Sequence, residues 1–302
     1  MRCFNRDTIT KCSRRSRDRR AAWRGFFARR RLSAAVRTAL SSAGIVAIVL
    51  AVASAVAAAD PIEAGGWNYT DNGPLVWNQN FPDQCGSGSR QSPFNIVSAD
   101  ATRAKLPKLK FHYNHPITFL DHDDQISIDH GDGNYITIGK TRYDLKSIHQ
   151  HTPAEYTVDD GTPYPMEFHL VHKSAAGQIA VVGVLVESGK ADKGIIEPPS
   201  SAEPYTVDID PRDLLPADRS YWRFNGSLTT PTASGVPSPP DCAEGVLWTE
   251  MREPIELSPD QIAAFKDSNN AVWGTTNIAR PVQPANGRFI LIPASAGANS
   301  DR

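Results

Sequence analysis

Two short runs constrain this chain more than any others: Ser147-Ile148-His149-Gln150-His151 and Met166-Glu167-Phe168-His169-Leu170-Val171-His172. Residues two apart on an extended segment project to the same side of a sheet, so His149 and His151 share a face. His169 comes eighteen residues after His151 on a segment that can return beside the first. Asp159-Asp160-Gly161-Thr162-Pro163 supplies the turn between them. The chain must therefore bring two neighbouring strands together so that imidazoles from both meet at one point. Three neutral imidazoles converging in this way bind a zinc ion and leave its fourth corner open, which is the arrangement of a catalytic site. Glu167 shares the face of His169 and can stand beside it as the carboxylate that fixes the ligand's tautomer. All eight histidines lie between His112 and His172. His112, His115, His130 and His172 read as ordinary polar residues, and His172 points to the face opposite His169.

The net charge of −1 conceals two unlike parts. Residues 1–37 hold thirteen Lys/Arg and two acids, Asp7 and Asp18; the remainder holds nineteen basic and thirty-one acidic residues. The acidic bulk argues against nucleic acid as a partner. Thr38 to Ala59 carries no charge and ends in the small residues Ser54-Ala55-Val56-Ala57-Ala58-Ala59. A basic segment, an apolar run and a small-residue end describe a secretory signal peptide with a long basic start. Residues 1–59 are thus expected to be removed, and the protein to be exported, periplasmic or secreted. The uncharged stretch is nearly long enough to span a bilayer, so an uncleaved membrane anchor is the alternative. Cys3 and Cys12 fall in that segment, which leaves Cys85 and Cys242 as a pair in an oxidising compartment. A disulfide between them closes a loop worth about 4–5 kcal/mol in the chain-entropy model; two buried thiols are the alternative.

One domain is expected over residues 60–293, followed by a small polar tail, 294–302. Ile126-Ser127-Ile128-Asp129 and Tyr135-Ile136-Thr137-Ile138 alternate as half-buried strands, with Gly131-Asp132-Gly133-Asn134 as a hairpin turn between them. Ile179 to Val186 is a continuous apolar strand. Helical periodicity is scarce. Ser258-Pro259-Asp260-Gln261 opens a helix that reads as far as about Lys266, with Ser as N-cap, Pro at the first position and Gln at the third. Residues 187–206 and 232–241 read as surface loops. The fold class is mostly β (α+β), with a few short helices.

Further motifs recur along the chain: Trp67-Asn68-Tyr69, Gly73-Pro74-Leu75-Val76-Trp77, Gln91-Ser92-Pro93-Phe94-Asn95-Ile96, Tyr221-Trp222-Arg223-Phe224-Asn225-Gly226-Ser227-Leu228-Thr229-Thr230-Pro231 and Arg280-Pro281-Val282-Gln283-Pro284-Ala285-Asn286-Gly287-Arg288. With the two histidine runs, they closely resemble the α-class carbonic anhydrases in their compact, exported bacterial form, over roughly residues 67–291. The resemblance implies a large twisted, mainly antiparallel central sheet with zinc (Zn2+) at the floor of a conical cleft. It implies His149, His151 and His169 as the metal ligands, and a gate pair, Thr229 and Glu155. It implies a CO2 pocket on Val171, Val181, Leu228 and Trp248 with Val246 nearby, Thr230 lining the site, and Tyr69 ending a water chain on the cleft wall. The implied reaction is reversible hydration of CO2 to bicarbonate and a proton by zinc-bound hydroxide. Homodimers are common in the bacterial family.

The chain departs from the family pattern in several places. The proton-shuttle position falls on Asp124, with His122 two residues before it; a carboxylate is a poor match for a donor near neutral pH, so His122 is the expected shuttle. Ser147 stands where a glutamine usually orients the first ligand. Tyr156 replaces a histidine after the gate glutamate. Ten residues separate Pro231 from Cys242. Two rival readings use the same fold-forming residues. His149-x-His151-x3-Glu155 also fits the first motif of cupins, with Glu155 as a ligand and oxidative chemistry on iron or manganese. Some proteins of the carbonic anhydrase fold have lost zinc and act as binding modules, but all three ligand histidines stand here.

Overall fold

Strand-forming runs dominate the chain, and a computed structural model places them. It describes residues 67–121, 125–127, 133–192, 194–195, 198, 205–229 and 241–294; for 118–121, 125–127 and 205–207 the backbone alone is described. The expected signal segment, the tail from 295, His122, Asp124, His130, Thr230 and most of the loop 232–241 lie outside the described residues. In chain order the strands are β1 (Asn95–Ile96), β2 (Thr102–Ala104), β3 (Leu109–His112), β4 (Ile117–Asp121), β5 (Gln125–Ser127), β6 (Tyr135–Ile138), β7 (Thr141–His151), β8 (Thr157–Val158), β9 (Met166–Ser174), β10 (Ile179–Ser188), β11 (Tyr205–Ile209), β12 (Tyr221–Ser227), β13 (Glu244–Met251), β14 (Ile255–Leu257) and β15 (Leu291–Pro293). Helix α1 (Trp77–Asn80) is a single turn, and α2 (Pro259–Trp273) is the one helix of length among the described residues.

An eleven-stranded sheet runs β2-β15-β12-β13-β10-β9-β7-β6-β3, with β14 beside β10 and β5 beside β7. Pairing is mainly antiparallel; β10 with β13, β10 with β14, and β15 with β2 are parallel. The central strands are covered on both faces. Alternation divides β9 and β10 between two cores: Met166, Phe168, Leu170, Ala180, Val182 and Val184 face one, with Ile262 and Phe265 of α2 packed against it. Val181 faces the other, with Phe94, Tyr156, Phe224, Leu228 and Trp248.

Two elements differ from their sequence reading. β5 and β6 do not form a hairpin. Both pair with β7, Gln125 opposite His149 and Tyr135 opposite Asp144, because β7 is eleven residues long and offers an edge to each in turn. Helix α2 starts as expected: Ser258 Oγ accepts from the Gln261 N–H, and Gln261 Oε1 accepts from the Ser258 N–H, both at 3.2 Å. It continues past Lys266 through Ser268-Asn269-Asn270, residues of poor helix propensity. A tertiary contact overrides that preference. Asn269 is fully buried, accepts from Gln150 Nε2 at 2.6 Å and donates to Thr152 Oγ1 at 2.8 Å. Gly274, at φ 71°, ends the helix in the left-handed conformation that suits glycine. The helix thereby braces β7 from behind, at the residue between His149 and His151. No helix among the described residues is long and apolar enough to cross a membrane.

Candidate metal centre

β7 and β9 lie antiparallel with His149 directly opposite His169, and His151 opposite Glu167. The period of two then sends all four side chains to one face, while Gln150, Phe168 and Leu170 go to the other. The imidazole ring centroids stand 5.2 Å (His149–His151), 5.1 Å (His149–His169) and 4.7 Å (His151–His169) apart. One nitrogen from each lies within 4.8 Å of the others, and His169 Nδ1 is 3.3 Å from His149 Nε2. All three rings are buried.

For His169 and His151 the second nitrogen decides which atom faces the centre. His169 Nε2 donates to Glu167 Oε1 at 2.8 Å, so its lone pair is on Nδ1. His151 Nδ1 donates to the Ile278 carbonyl at 2.8 Å, so its lone pair is on Nε2. That Nε2 is buried with no hydrogen-bond partner among the described residues. A buried acceptor left unsatisfied is costly, and a cation at the convergence point relieves it. Glu167 is held in turn by the backbone N–H groups of Glu155 (2.8 Å) and Tyr156 (2.9 Å) on Oε2. Burial drives His149 well below the ordinary histidine range, aided by the neighbouring His169 and His151. Burial also lowers His151, and it brings His169 to about 4. The imidazoles are therefore neutral at pH 7, as metal ligation requires. Burial pushes Glu167 up to about 7, against the pull of its backbone donors. Three donors converge on its two oxygens, which is the environment of an acceptor.

Glu155 stands on the loop after β7. Its Oε1 accepts from the Arg280 N–H at 2.8 Å, and its Oε2 is buried with no hydrogen-bond partner among the described residues. The ring nitrogen nearest Glu155 is His151 Nδ1, at 3.5 Å, and that atom already donates to Ile278. Glu155 is thus no metal ligand, which removes the cupin reading. Thr229 is buried just beyond the end of β12. Val171, Val181 and Trp248 form one cross-strand row on the ligand face, two residues along from His169. Trp248 meets the His169 ring edge-on, 4.9 Å between centroids. Leu228 and Val246 join the same apolar cluster. Ser147 is half-buried, opposite Val171 across a bulge. Tyr69 packs in a separate aromatic group with Trp67, Trp77 and Trp273. That group adjoins the Cys85–Cys242 disulfide, which closes a loop of 157 residues, and Ile278, whose carbonyl holds His151.

Several residues of the site carry no signal of their own in the sequence. Arg280 is buried; its guanidinium donates to Gln91 Oε1 (2.9 Å), the Ser92 carbonyl (2.7 Å) and Asn78 Oδ1 (3.1 Å), while its backbone holds Glu155. Its motif was legible but its role was not. Glu250 is a second buried carboxyl on the ligand face, lying over Gly183, where any side chain would collide with it. Burial first, and the charge of Glu167 second, push its pKa well up.

The chain also has recognisable relatives. The eukaryotic-type carbonic anhydrase family matches residues 72–293. A carbonic anhydrase of Klebsiella pneumoniae is 38% identical over 243 residues, 76% of this chain and 91% of that protein. Dioscorin dioA3 of Dioscorea japonica is 32% identical over 235 residues, 73% of this chain and 82% of that one. The α-carbonic anhydrase of Thermovibrio ammonificans, solved with the inhibitor sulfanilamide, superposes with a TM-score of 0.64 at 34% identity, covering 76% of this chain and 99% of its own. Fold, match and convergent histidines agree: this chain belongs to the eukaryotic-type, or α, carbonic anhydrase family, whose reaction is the reversible hydration of CO2.

Proposed function

We propose that His149 and His151 through Nε2, and His169 through Nδ1, hold a zinc ion, and that the residues around it hydrate CO2 as follows. When bound, zinc supplies a water acidified enough to serve as a hydroxide nucleophile near neutral pH, as it does in carbonic anhydrases generally. Glu155 offers its unpartnered Oε2 to the Thr229 hydroxyl. With that proton committed, Thr229 can only accept from a group bound beside it, and so admits an O–H or N–H donor and turns away one without. Val171, Val181, Leu228, Val246 and Trp248 present no ionised group to the cavity and suit a small uncharged substrate; Thr230 completes the lining. Glu167 holds His169 in the tautomer that ligates. Ser147 steadies the first ligand from two residues away, and Tyr69 terminates a water chain. His122, two residues before Asp124 in the sequence, passes the proton to solvent. The mature enzyme is exported with 1–59 removed; residues 60–293 form its catalytic domain and 294–302 its tail.

The observation that carries this reading is the convergence of three buried, neutral imidazoles, two of which, His151 and His169, already commit their outward nitrogens to other partners. The test is direct. Protein expressed from Asp60 is expected to contain one zinc per chain, to hydrate CO2 and to be blocked by sulfanilamide. His149→Ala should lose metal and activity together. A metal-free, inert wild-type preparation rejects the proposal.

A further inference from the structure

Tyr156 ties the gate loop at one end to the carboxylate that steadies His169 and at the other, through its phenol, to Ser92. Tyr156 is fully buried. At its backbone end, its N–H donates to Glu167 Oε2 at 2.9 Å, beside that of Glu155 at 2.8 Å. At its other end, the hydroxyl donates to Ser92 Oγ at 2.6 Å. Ser92 and Ser227 are clasped reciprocally: the Ser92 N–H donates to Ser227 Oγ at 2.8 Å, and the Ser227 N–H donates to Ser92 Oγ at 3.1 Å. Ser227 lies two residues before Thr229, its carbonyl accepts from Trp248 Nε1 at 3.0 Å, and its hydroxyl donates to the Leu228 carbonyl at 2.8 Å. Gly226 is what permits the clasp, because a side chain there would collide with Ser92 Oγ and press on the Trp248 ring. Phe94, Phe224 and Trp248 enclose the Tyr156 ring, with centroids 5.6, 5.4 and 4.9 Å away. The ring is therefore a stiff spacer between the Glu155–Tyr156 peptide and the strand end that carries Thr229.

We propose that Tyr156 is a positioning residue for the gate: through Ser92 and Ser227 it fixes the separation between Glu155 and Thr229. The inference rests on the reading of Thr229 and Glu155 as the gate. Without the phenol, Ser92 Oγ keeps only the Ser227 N–H, and the loop start is tied at one point fewer. A misplacement well under 1 Å is enough to weaken an aligned hydroxyl–carboxylate contact.

The experiment compares zinc-loaded wild type with Tyr156→Phe, Ser92→Ala, the double variant and Glu155→Gln. Tyr113→Phe serves as control, since it removes a buried phenol on the opposite face of the sheet. Steady-state kcat/KM for CO2 hydration is measured against pH, together with amide exchange at Ser227 and Thr229. Tyr156→Phe and Ser92→Ala are each expected to lower kcat/KM about five- to tenfold, the rate equivalent of one neutral hydrogen bond. The double variant is expected to be scarcely worse than either single one, because both cut the same connection. Ser227 exchange accelerates in these variants and not in Tyr113→Phe, which stays within about twofold of wild-type kcat/KM. If Tyr156→Phe fails to fold, Ser92→Ala carries the same test. Wild-type rates and exchange in Ser92→Ala and Tyr156→Phe, beside an impaired Glu155→Gln, overturn the proposal and leave the gate standing. Equal losses in Tyr156→Phe and Tyr113→Phe overturn it as well, since both then report general destabilisation. Wild-type activity in Glu155→Gln instead overturns the gate reading itself.

Discussion

His169 and His172 stand three residues apart on β9, and each is almost wholly withdrawn from solvent. Burial lowers both, His169 to about 4 and His172 to about 3. Each has one side-chain partner at 2.8 Å, a carboxylate for His169 and the Tyr113 hydroxyl for His172. By burial, pKa and hydrogen bonding taken singly, the two are alike. They differ in company. His169 meets two further imidazoles on its face of the sheet, whereas His172 lies stacked on Tyr113, 5.9 Å between ring centroids, within the apolar core of the other face. A perturbed histidine is thus not a metal site, and convergence is what separates the two.

The largest effect tests that separation outright. His169→Ala should abolish zinc retention and reduce CO2 hydration to background, because two imidazoles leave a transition metal under-coordinated. His172→Ala should keep its zinc and its kcat/KM, yet lose about 2–4 kcal/mol of folding stability from the cavity and the stranded phenol. Metal analysis and denaturant unfolding of both variants decide it. Zinc loss in His172→Ala would break the comparison. The next effect sharpens it. Glu167→Gln keeps the shape of the partner of His169 but removes the charge that makes its Nδ1 basic. Zinc affinity should fall about ten- to a hundredfold, the usual cost of removing a carboxylate behind a metal-bound histidine. Competition with a chromogenic chelator measures it.

The sequence disclosed one face better than the other, and for a physical reason. His149, His151, Glu167 and His169 obey the period of two, so adjacent strands suffice to predict that they meet. The Cys85–Cys242 bridge follows from compartment and count. What holds the site together does not. Ser92 reaches Ser227 across 135 residues, and Arg280 reaches Gln91 across 189. No local pattern encodes such contacts. Glu250 is misleading for a related reason: a charged residue in Trp248-Thr249-Glu250-Met251 reads as exposed, and only Gly183 on the neighbouring strand makes room to bury it. The hairpin expected from Gly131 to Asn134 is not what joins β5 and β6: each runs antiparallel to β7, so the two share a direction, and the chain reverses at Gly139-Lys140 between β6 and β7.

Acid should separate the faces more gently. Folded His172 is neutral down to about pH 3, while in the unfolded chain it takes a proton near its ordinary 6.5. Its contribution is therefore fully present above pH 6.5 and is lost as pH falls from there toward 3, since in that window only the unfolded state binds the proton. Replacing His172 with Phe should flatten the acid limb of a stability profile between pH 6.5 and 4, by roughly 1.4 kcal/mol per pH unit. The ligand histidines also lose stability in acid, but theirs is the part that excess zinc opposes. An acid limb as steep in His172→Phe as in wild type, at saturating zinc, removes His172 from the account.

The smallest effect concerns Tyr113. Burial raises its pKa well above the ordinary phenol value, so it stays protonated and donates to His172 Nε2. Tyr113→Phe leaves the stack in place and strands that nitrogen, which should lower stability by about 1–3 kcal/mol. Because burial is the largest cause of the low His172 pKa, the acid limb should keep its slope and merely start lower. A parallel drop at every pH from 4 to 8, with zinc content unchanged, is the expected result. A change of slope instead would mean that the phenol, and not the surrounding core, keeps His172 neutral, and the two buried histidines of β9 would then owe their neutrality to different causes.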